Sequence, residues 1–178
     1  MKILIAAASA AALVSLAPGL AQAQTAATGL YGNLGYSQAS GDDINLGALG
    51  GRLGYRFNDW LGVEGELGFG VKDDTVSEAG VDVDVELEHT EAIYAIGFAP
   101  LSDKTDLFAR IGYGNTSVKA SAGGLSLSED GDSWNFGVGA QHHFDGVNGV
   151  RFDYTRQEFR GDDGGSANVW SIAYTRRF

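Results

Sequence analysis

The chain is 178 residues long and acidic, with 23 Asp and Glu against 12 Lys and Arg for a formal net charge of −11. It has no cysteine, which excludes a disulfide framework and a thiolate metal site. The acidity argues against nucleic acid as a partner, because binding phosphates needs a basic surface.

Lys2 forms a minimal positive n-region, Ile3 to Ala17 is apolar and alanine-rich, and Pro18-Gly19 breaks the run before a small-x-small site at Ala21-Gln22-Ala23. We read residues 1–23 as a cleaved signal peptide and 24–178 as one domain. The apolar run is too short and too alanine-rich for a good membrane span, and no charged stop-transfer signal follows it. Lys2 leaves with the signal, so the mature chain is more acidic still.

After the signal the chain alternates apolar and polar residues in eight segments, with no helical period. Gly29 to Gln38 puts Leu30, Leu34 and Tyr36 on one face. Leu46 to Phe57 puts Leu49, Leu53, Tyr55 and Phe57 opposite Gly50, Arg52, Gly54 and Arg56. Leu61 to Val71 puts Leu61, Val63, Leu67, Phe69 and Val71 opposite Gly62, Glu64, Glu66, Gly68 and Gly70. The fourth segment changes phase, from Val81, Val83, Val85 and Leu87 to Tyr94, Ile96 and Phe98. A bulge near His89 to Glu91, or an extension of the strand beyond the barrel, reconciles the two phases.

The next segments are cleaner. Leu107, Ala109, Ile111 and Tyr113 oppose Arg110, Gly112 and Gly114; Trp134, Phe136, Val138 and Ala140 oppose Asn135, Gly137, Gly139 and Gln141. Val150, Phe152 and Tyr154 oppose Arg151, Asp153 and Thr155. The last strand, Asn168 to Phe178, carries Trp170, Ile172, Tyr174 and Phe178 on one face and stops on an aromatic residue. Soluble chains seldom finish so, because ends fray. Spans of about ten residues suit a tilted strand crossing a bilayer.

Connections alternate in length. Asn58-Asp59-Trp60, Pro100 to Asp106 and Asp145 to Asn148 are short; those around Gly41-Asp42-Asp43, Lys72 to Gly80, Ala120 to Asp132 and Arg160 to Asn168 are mostly longer, polar and acidic. Short periplasmic turns and longer outer loops are the asymmetry of an outer-membrane barrel, and an even strand count puts both mature ends in the periplasm. Aromatic residues then form two rims, with Phe57, Trp60, Phe98, Phe144 and Phe178 below and Tyr36, Phe69, Tyr113, Trp134 and Trp170 above.

A soluble eight-stranded barrel shows the same period with its faces exchanged, so the polar face must decide. Here that face mixes the chain's many glycines with isolated opposite charges. With Asn58 to Trp60 as a hairpin loop, Arg52 lies across from Glu66 and Arg56 diagonal to Glu64. A narrow lumen needs such pairs, because a lone buried charge is strongly destabilising. We therefore expect a lumen charge network of Arg52, Arg56, Glu64, Glu66, Arg110, Arg151 and Asp153.

On Gly29-Leu-Tyr-Gly-Asn-Leu-Gly-Tyr36, Tyr94-Ala-Ile-Gly-Phe-Ala-Pro-Leu101, Leu107-Phe-Ala-Arg-Ile-Gly-Tyr113 and the aromatic final strand, the chain resembles the small OmpA/OmpX-like outer-membrane β-barrels, grouped with opacity-type and porin-family barrels. The resemblance covers the whole mature chain. It implies an all-β, eight-stranded antiparallel up-and-down transmembrane barrel in the cell outer membrane, contacting membrane lipid and lipopolysaccharide. It also implies recognition of Trp170, Ile172, Tyr174 and Phe178 by the barrel-assembly machinery, with Arg176 departing from the pattern. A monomer is expected.

Three functional classes remain: a structural or surface-interaction barrel with acidic loops that meet a surface ligand, a narrow diffusion channel, and a lipid A-modifying enzyme. An interior just wide enough for side chains favours the first. The enzyme reading lacks its parts. Adjacent His142 and His143 point to opposite faces, His142-His-Phe-Asp-Gly146 contains no serine, and no Ser–His–carboxylate set is legible. Asp82, Asp84, Glu86 and Glu88 share one side of a straight strand and could gather a divalent cation, but they read better as an acidic rim that keeps strand edges from pairing. We expect no catalytic residue, cofactor or resident metal.

Overall fold

The structure is a computed structural model, and it describes residues 28–41, 44–78, 81–122, 125–161 and 165–178. The signal peptide at 1–23 and the acidic pairs Asp42-Asp43 and Asp162-Asp163 lie outside the described residues.

Period-2 alternation becomes strand throughout. The elements are β1 (Gly29–Gly41), β2 (Ile44–Arg56), β3 (Leu61–Lys72), β4 (Asp74–Glu78), β5 (Val81–Ser102), β6 (Thr105–Ala122), β7 (Leu125–His143), β8 (Asn148–Phe159) and β9 (Ser166–Arg177). Each strand pairs antiparallel with its sequence neighbour in the ring, β1 pairs with β9, and β3 pairs with β5. Strand β4 runs along β5 on the same side as β3, beyond a break at Asp73. The ring therefore holds eight strands, closed and without an edge along the wall.

Short turns gather at one end, here the turn end, together with Thr28 and Phe178. Their chemistry is local. Asn58 Oδ1 accepts from the backbone N–H of Trp60 at 2.9 Å and of Leu61 at 3.0 Å. Asp145 Oδ1 accepts from Val147 N at 2.9 Å and Asn148 N at 2.6 Å, beside Gly146 at φ +85°. Such side-chain caps fix loop length, and loop length fixes register. Arg52 accordingly lies opposite Glu66 and Tyr55 opposite Val63.

Outward positions are greasy. Leu34, Leu53, Leu67, Phe69, Ile111, Phe136, Phe152 and Ile172 are exposed around the ring, while Arg52, Glu64, Arg110, Arg151 and Asp153 are buried inside it. Phe57, Trp60, Phe144 and Phe178 line the outer surface at the turn end; Phe69, Trp134 and Trp170 do so at the other end.

Phe98 is a correction to the lower rim. It is only 5 % exposed and packs inside the barrel with Tyr31, Ile96 and Phe108. Strand β5 is apolar on both faces, with Ile93 outward and Tyr94, Ile96 and Phe98 inward, so alternation alone leaves its direction open. The bulge expected near His89 to Glu91 falls between Leu87 and His89, and it keeps Leu87 and Thr90 on the lumen side.

The stretches expected as polar loops at 72–80 and 120–132 are instead mostly strand. Strands β4 to β7 run on past the ring as a projecting sheet, because β8 begins pairing with β7 only at Ser133–Phe159. One side of this arm is apolar: Val85 and Leu87, with Val83 and Val118 beside them, form one buried cluster with Leu46 and Ala48 of β2. Its other side carries exposed Asp84, Glu86 and Glu88. Three of the four acids foreseen on one strand side, Asp84, Glu86 and Glu88, thus share an outer sheet face, and the side chain of Asp82 lies outside the described residues.

Candidate functional site

The lumen contains two ionic clusters stacked along the axis. In the central one, Arg52 Nε donates to Glu66 Oε2 at 2.7 Å and Arg52 Nη1 to Asp153 Oδ2 at 2.8 Å. Arg110 Nη1 reaches Glu66 at 3.0 Å, and Arg110 Nη2 reaches Asp153 Oδ1 at 2.9 Å and Thr155 Oγ1 at 2.8 Å. Arg151 grips Glu64 with both terminal nitrogens, Nη2 lying 3.0 Å from Oε2. Charge-assisted bonds of this kind are the strong ones.

The seven charged residues anticipated from the sequence all face the lumen, yet one pairing differs. Arg56 does not meet Glu64. It donates to both carboxylate oxygens of Asp106, at 3.1 and 3.2 Å, in a second cluster near the turn end. Arg177 Nη2 and Gln141 Nε2 complete the shell of Asp106 at 3.1 and 3.0 Å. Diagonal proximity along a wall loses here to contacts across a narrow lumen, where long side chains from distant strands converge.

Aromatic rings support the cations. The guanidinium of Arg56 lies 4.1 Å from the Phe98 ring centroid, that of Arg110 4.2 Å from Tyr94 and that of Arg151 3.9 Å from Phe108. Desolvated cation–π contacts of this sort contribute about 2 kcal/mol each. The lumen glycines leave room for the rings as well as for the arginines. A Cβ on Gly54 would lie 2.3 Å from the Tyr31 ring, one on Gly139 2.5 Å from Phe108, and one on Gly137 2.8 Å from Arg110 Nε.

Sequence reasoning missed Asp106, Arg177, Tyr31, Tyr94 and Phe108 as lumen groups. A signal for three of them was present: Asp106 and Phe108 share the phase of Arg110, and Arg177 that of Ser171 and Thr175.

Two cavities beside these clusters are small. A cavity toward the arm, bounded by Asn33, Ser37, Arg52, Glu66, Thr90 and Ser171, leaves ≈ 20 Å³ for the centre of a water molecule; one near the turn end, by Arg56, Gln141, His143 and Thr175, leaves ≈ 10 Å³. Each has room for about one water-sized guest. His142 points outward and His143 inward, as alternation requires. Among the described residues, no cluster of three His, Asp or Glu side chains has metal-binding geometry.

Trp170, Ile172, Tyr174 and Phe178 all face outward on β9 and its end. On the arm, Leu125 and Leu127 of β7 are 80 % and 77 % exposed, and, among the described residues, 125–131 pair with β6 alone.

The sequence profile described as outer membrane protein beta-barrel domain matches residues 8–178. No curated protein matches the chain. Among solved structures, Ail, the attachment invasion locus protein of Yersinia pestis, in complex with the heparin analogue sucrose octasulfate, is similar with a TM-score of 0.62 at 20% identity, over 84% of this chain and 97% of Ail. The outer membrane protein OprG of Pseudomonas aeruginosa is similar with a TM-score of 0.63 at 11% identity, over 85% of this chain and 96% of that one. Neisserial surface protein A is similar with a TM-score of 0.60 at 12% identity, over 84% and 96%. At these identities the likeness is one of fold.

Proposed function

From the premise that the chain belongs to the outer membrane protein beta-barrel family and resides in the outer membrane, we propose that it is a closed, non-catalytic barrel that presents its projecting sheet to partners outside the cell. The observation that carries this reading is the filled lumen. Arginines, carboxylates and aromatic rings occupy the axis, and the two gaps described beside them have room for about one water each. A wall this full serves as a rigid mount rather than a conduit.

The turn end faces the periplasm and the arm faces outward, in keeping with short inner turns and longer outer structure. Residues 1–23 direct export and are removed, and residues 24–178 form the inserted domain. The outward row Trp170, Ile172, Tyr174 and Phe178 is the assembly signal read by the barrel-assembly machinery. Lipid and lipopolysaccharide cover the greasy belt, and the barrel works as a monomer.

The arm supplies the interaction surface. Its β7 edge, unpaired among the described residues, its two exposed leucines and its acidic side suit a partner that brings an apolar stripe flanked by positive charge. The ligand of the Ail complex is a polysulfate; the acidity of this arm argues for a cationic partner instead.

Planar-bilayer recording tests the closed reading. The folded barrel is expected to give no stepwise conductance. Steps whose ion selectivity shifts in Arg52→Ala would establish a diffusion channel in its place. The arm is tested by exchanging residues 81–88 and 125–132 for an unrelated hairpin, which is expected to abolish binding at the cell surface while the barrel still assembles.

A further inference from the structure

Among the described side chains, positive and negative groups inside the barrel do not balance, and the surplus lies at the turn end. The central cluster sets Arg52, Arg110 and Arg151 against Glu64, Glu66 and Asp153, three against three. The turn-end cluster sets Arg56 and Arg177 against Asp106 alone. Asp106 already receives Arg56, Arg177 and Gln141. The other bonds of Arg56 go to the carbonyls of Asn58 and Asp59, which carry no net charge. Among the described residues, one side-chain cation is left over at a mostly buried place, where an uncompensated charge is costly.

The same place gathers buried polar atoms without partners. His143 is 1 % exposed and Thr175 0 %, and both ring nitrogens of the first and the hydroxyl of the second are unpaired. They reach the spot from one row across the wall, His143 opposite Gly149 and Gly149 opposite Thr175. Gln141 Oε1 is also unpaired, an acceptor that cannot donate. All three side chains line the turn-end cavity with Arg56 and Arg177, and it has room for one water-sized guest.

We infer that this cavity binds a single monatomic anion, chloride under ordinary conditions, held by the Arg177 guanidinium, the Thr175 hydroxyl and a ring N–H of His143. Charge selects against the alternatives. Two guanidiniums repel a metal cation from the histidine, and a neutral water satisfies the donors but leaves the surplus charge. Size excludes sulfate and phosphate. Arg177 is half-buried, so the ion exchanges with solvent at the turn end.

The test uses the full folded barrel in detergent, crystallised with bromide in place of chloride. An anomalous peak is expected in the cavity between Arg177, Thr175 and His143, lost in Arg177→Gln and kept in Arg176→Gln, whose side chain is exposed on the outer face. Density of water with no anomalous signal, or bromide on the outer surface only, overturns the site; so does a peak that survives in Arg177→Gln. In solution, the urea midpoint is expected to rise with chloride but not with sulfate at equal ionic strength, by mass action on the folded state. Thr175→Val is expected to lose that difference, and equal midpoints in the two salts for the unsubstituted barrel also overturn the proposal.

Discussion

Glu64 on β3 and Arg151 on β8 meet across the full width of the lumen, on strands that stand opposite each other in the eight-membered ring. Neither side chain has exposure to solvent worth counting, and each is shared: Glu64 lies 3.7 Å from Arg110, and Arg151 lies 3.5 Å from Asp153. Arg151→Ala strands Glu64 and is expected to destabilise the barrel by about 3–5 kcal/mol. Replacing the pair with Glu64→Leu and Arg151→Met removes both charges and keeps volume, so the double variant is expected to be more stable than Arg151→Ala alone. Denaturant unfolding in micelles measures the difference. A double variant weaker than the single one would mean that the two residues do not act as a pair.

How much of this was legible beforehand follows from distance along the chain. Arg52 opposite Glu66 could be read because a three-residue turn between β2 and β3 sets the register and a period of two does the rest. Glu64 with Arg151 could not, since that contact depends on ring closure and on which strands end up facing. The interior rings were hidden for another reason. Where both faces of β5 are apolar, no alternation says whether Phe98 or Ile93 looks inward. The arm was hidden by composition, because acidic strands with small residues read as loops until a neighbour pairs with them.

Phe98 separates the inner plug from the outer belt. It packs edge-on to Tyr31 with ring centroids 6.2 Å apart and beneath the Arg56 guanidinium. Phe98→Ala is expected to cost about 3–5 kcal/mol by opening a cavity in a packed interior. Phe144→Ala, on an exposed ring at the turn end, is expected to cost clearly less. Equal losses in unfolding experiments would return Phe98 to the outer rim.

Glycines inside and outside the wall are expected to differ in the same way. A methyl on Gly54 would press into Tyr31 at 2.3 Å, whereas one on outward Gly65 meets its nearest atom at 4.0 Å. Tyr31 is itself wedged against Phe98 and cannot yield freely. Gly54→Ala is therefore expected to cost about 1–3 kcal/mol through overpacking. Gly65→Ala is expected to stay within about 0.5 kcal/mol of the parent. Paired denaturant curves decide, and a neutral Gly54→Ala would show that Tyr31 does not fill that space.

Asp145 gives a prediction in pH at the turn between β7 and β8. The Asn148 side-chain amide, then the backbone N–H groups of Asn148 and Val147, hold its carboxyl down to about 2. A carboxylate favoured in the folded turn contributes stability that is present above its ordinary value of 3.8 and lost as pH falls through about 2. An NMR titration of Asp145 is expected to show its midpoint near the lower value. Asp145→Ala removes the acceptor, so exchange of the Val147 and Asn148 amide protons is expected to quicken while amides in the middle of β8 keep their protection. A midpoint near 3.8, or unchanged exchange at both amides, would mean that this turn is held by its backbone alone. The register of β8 would then owe nothing to the carboxylate.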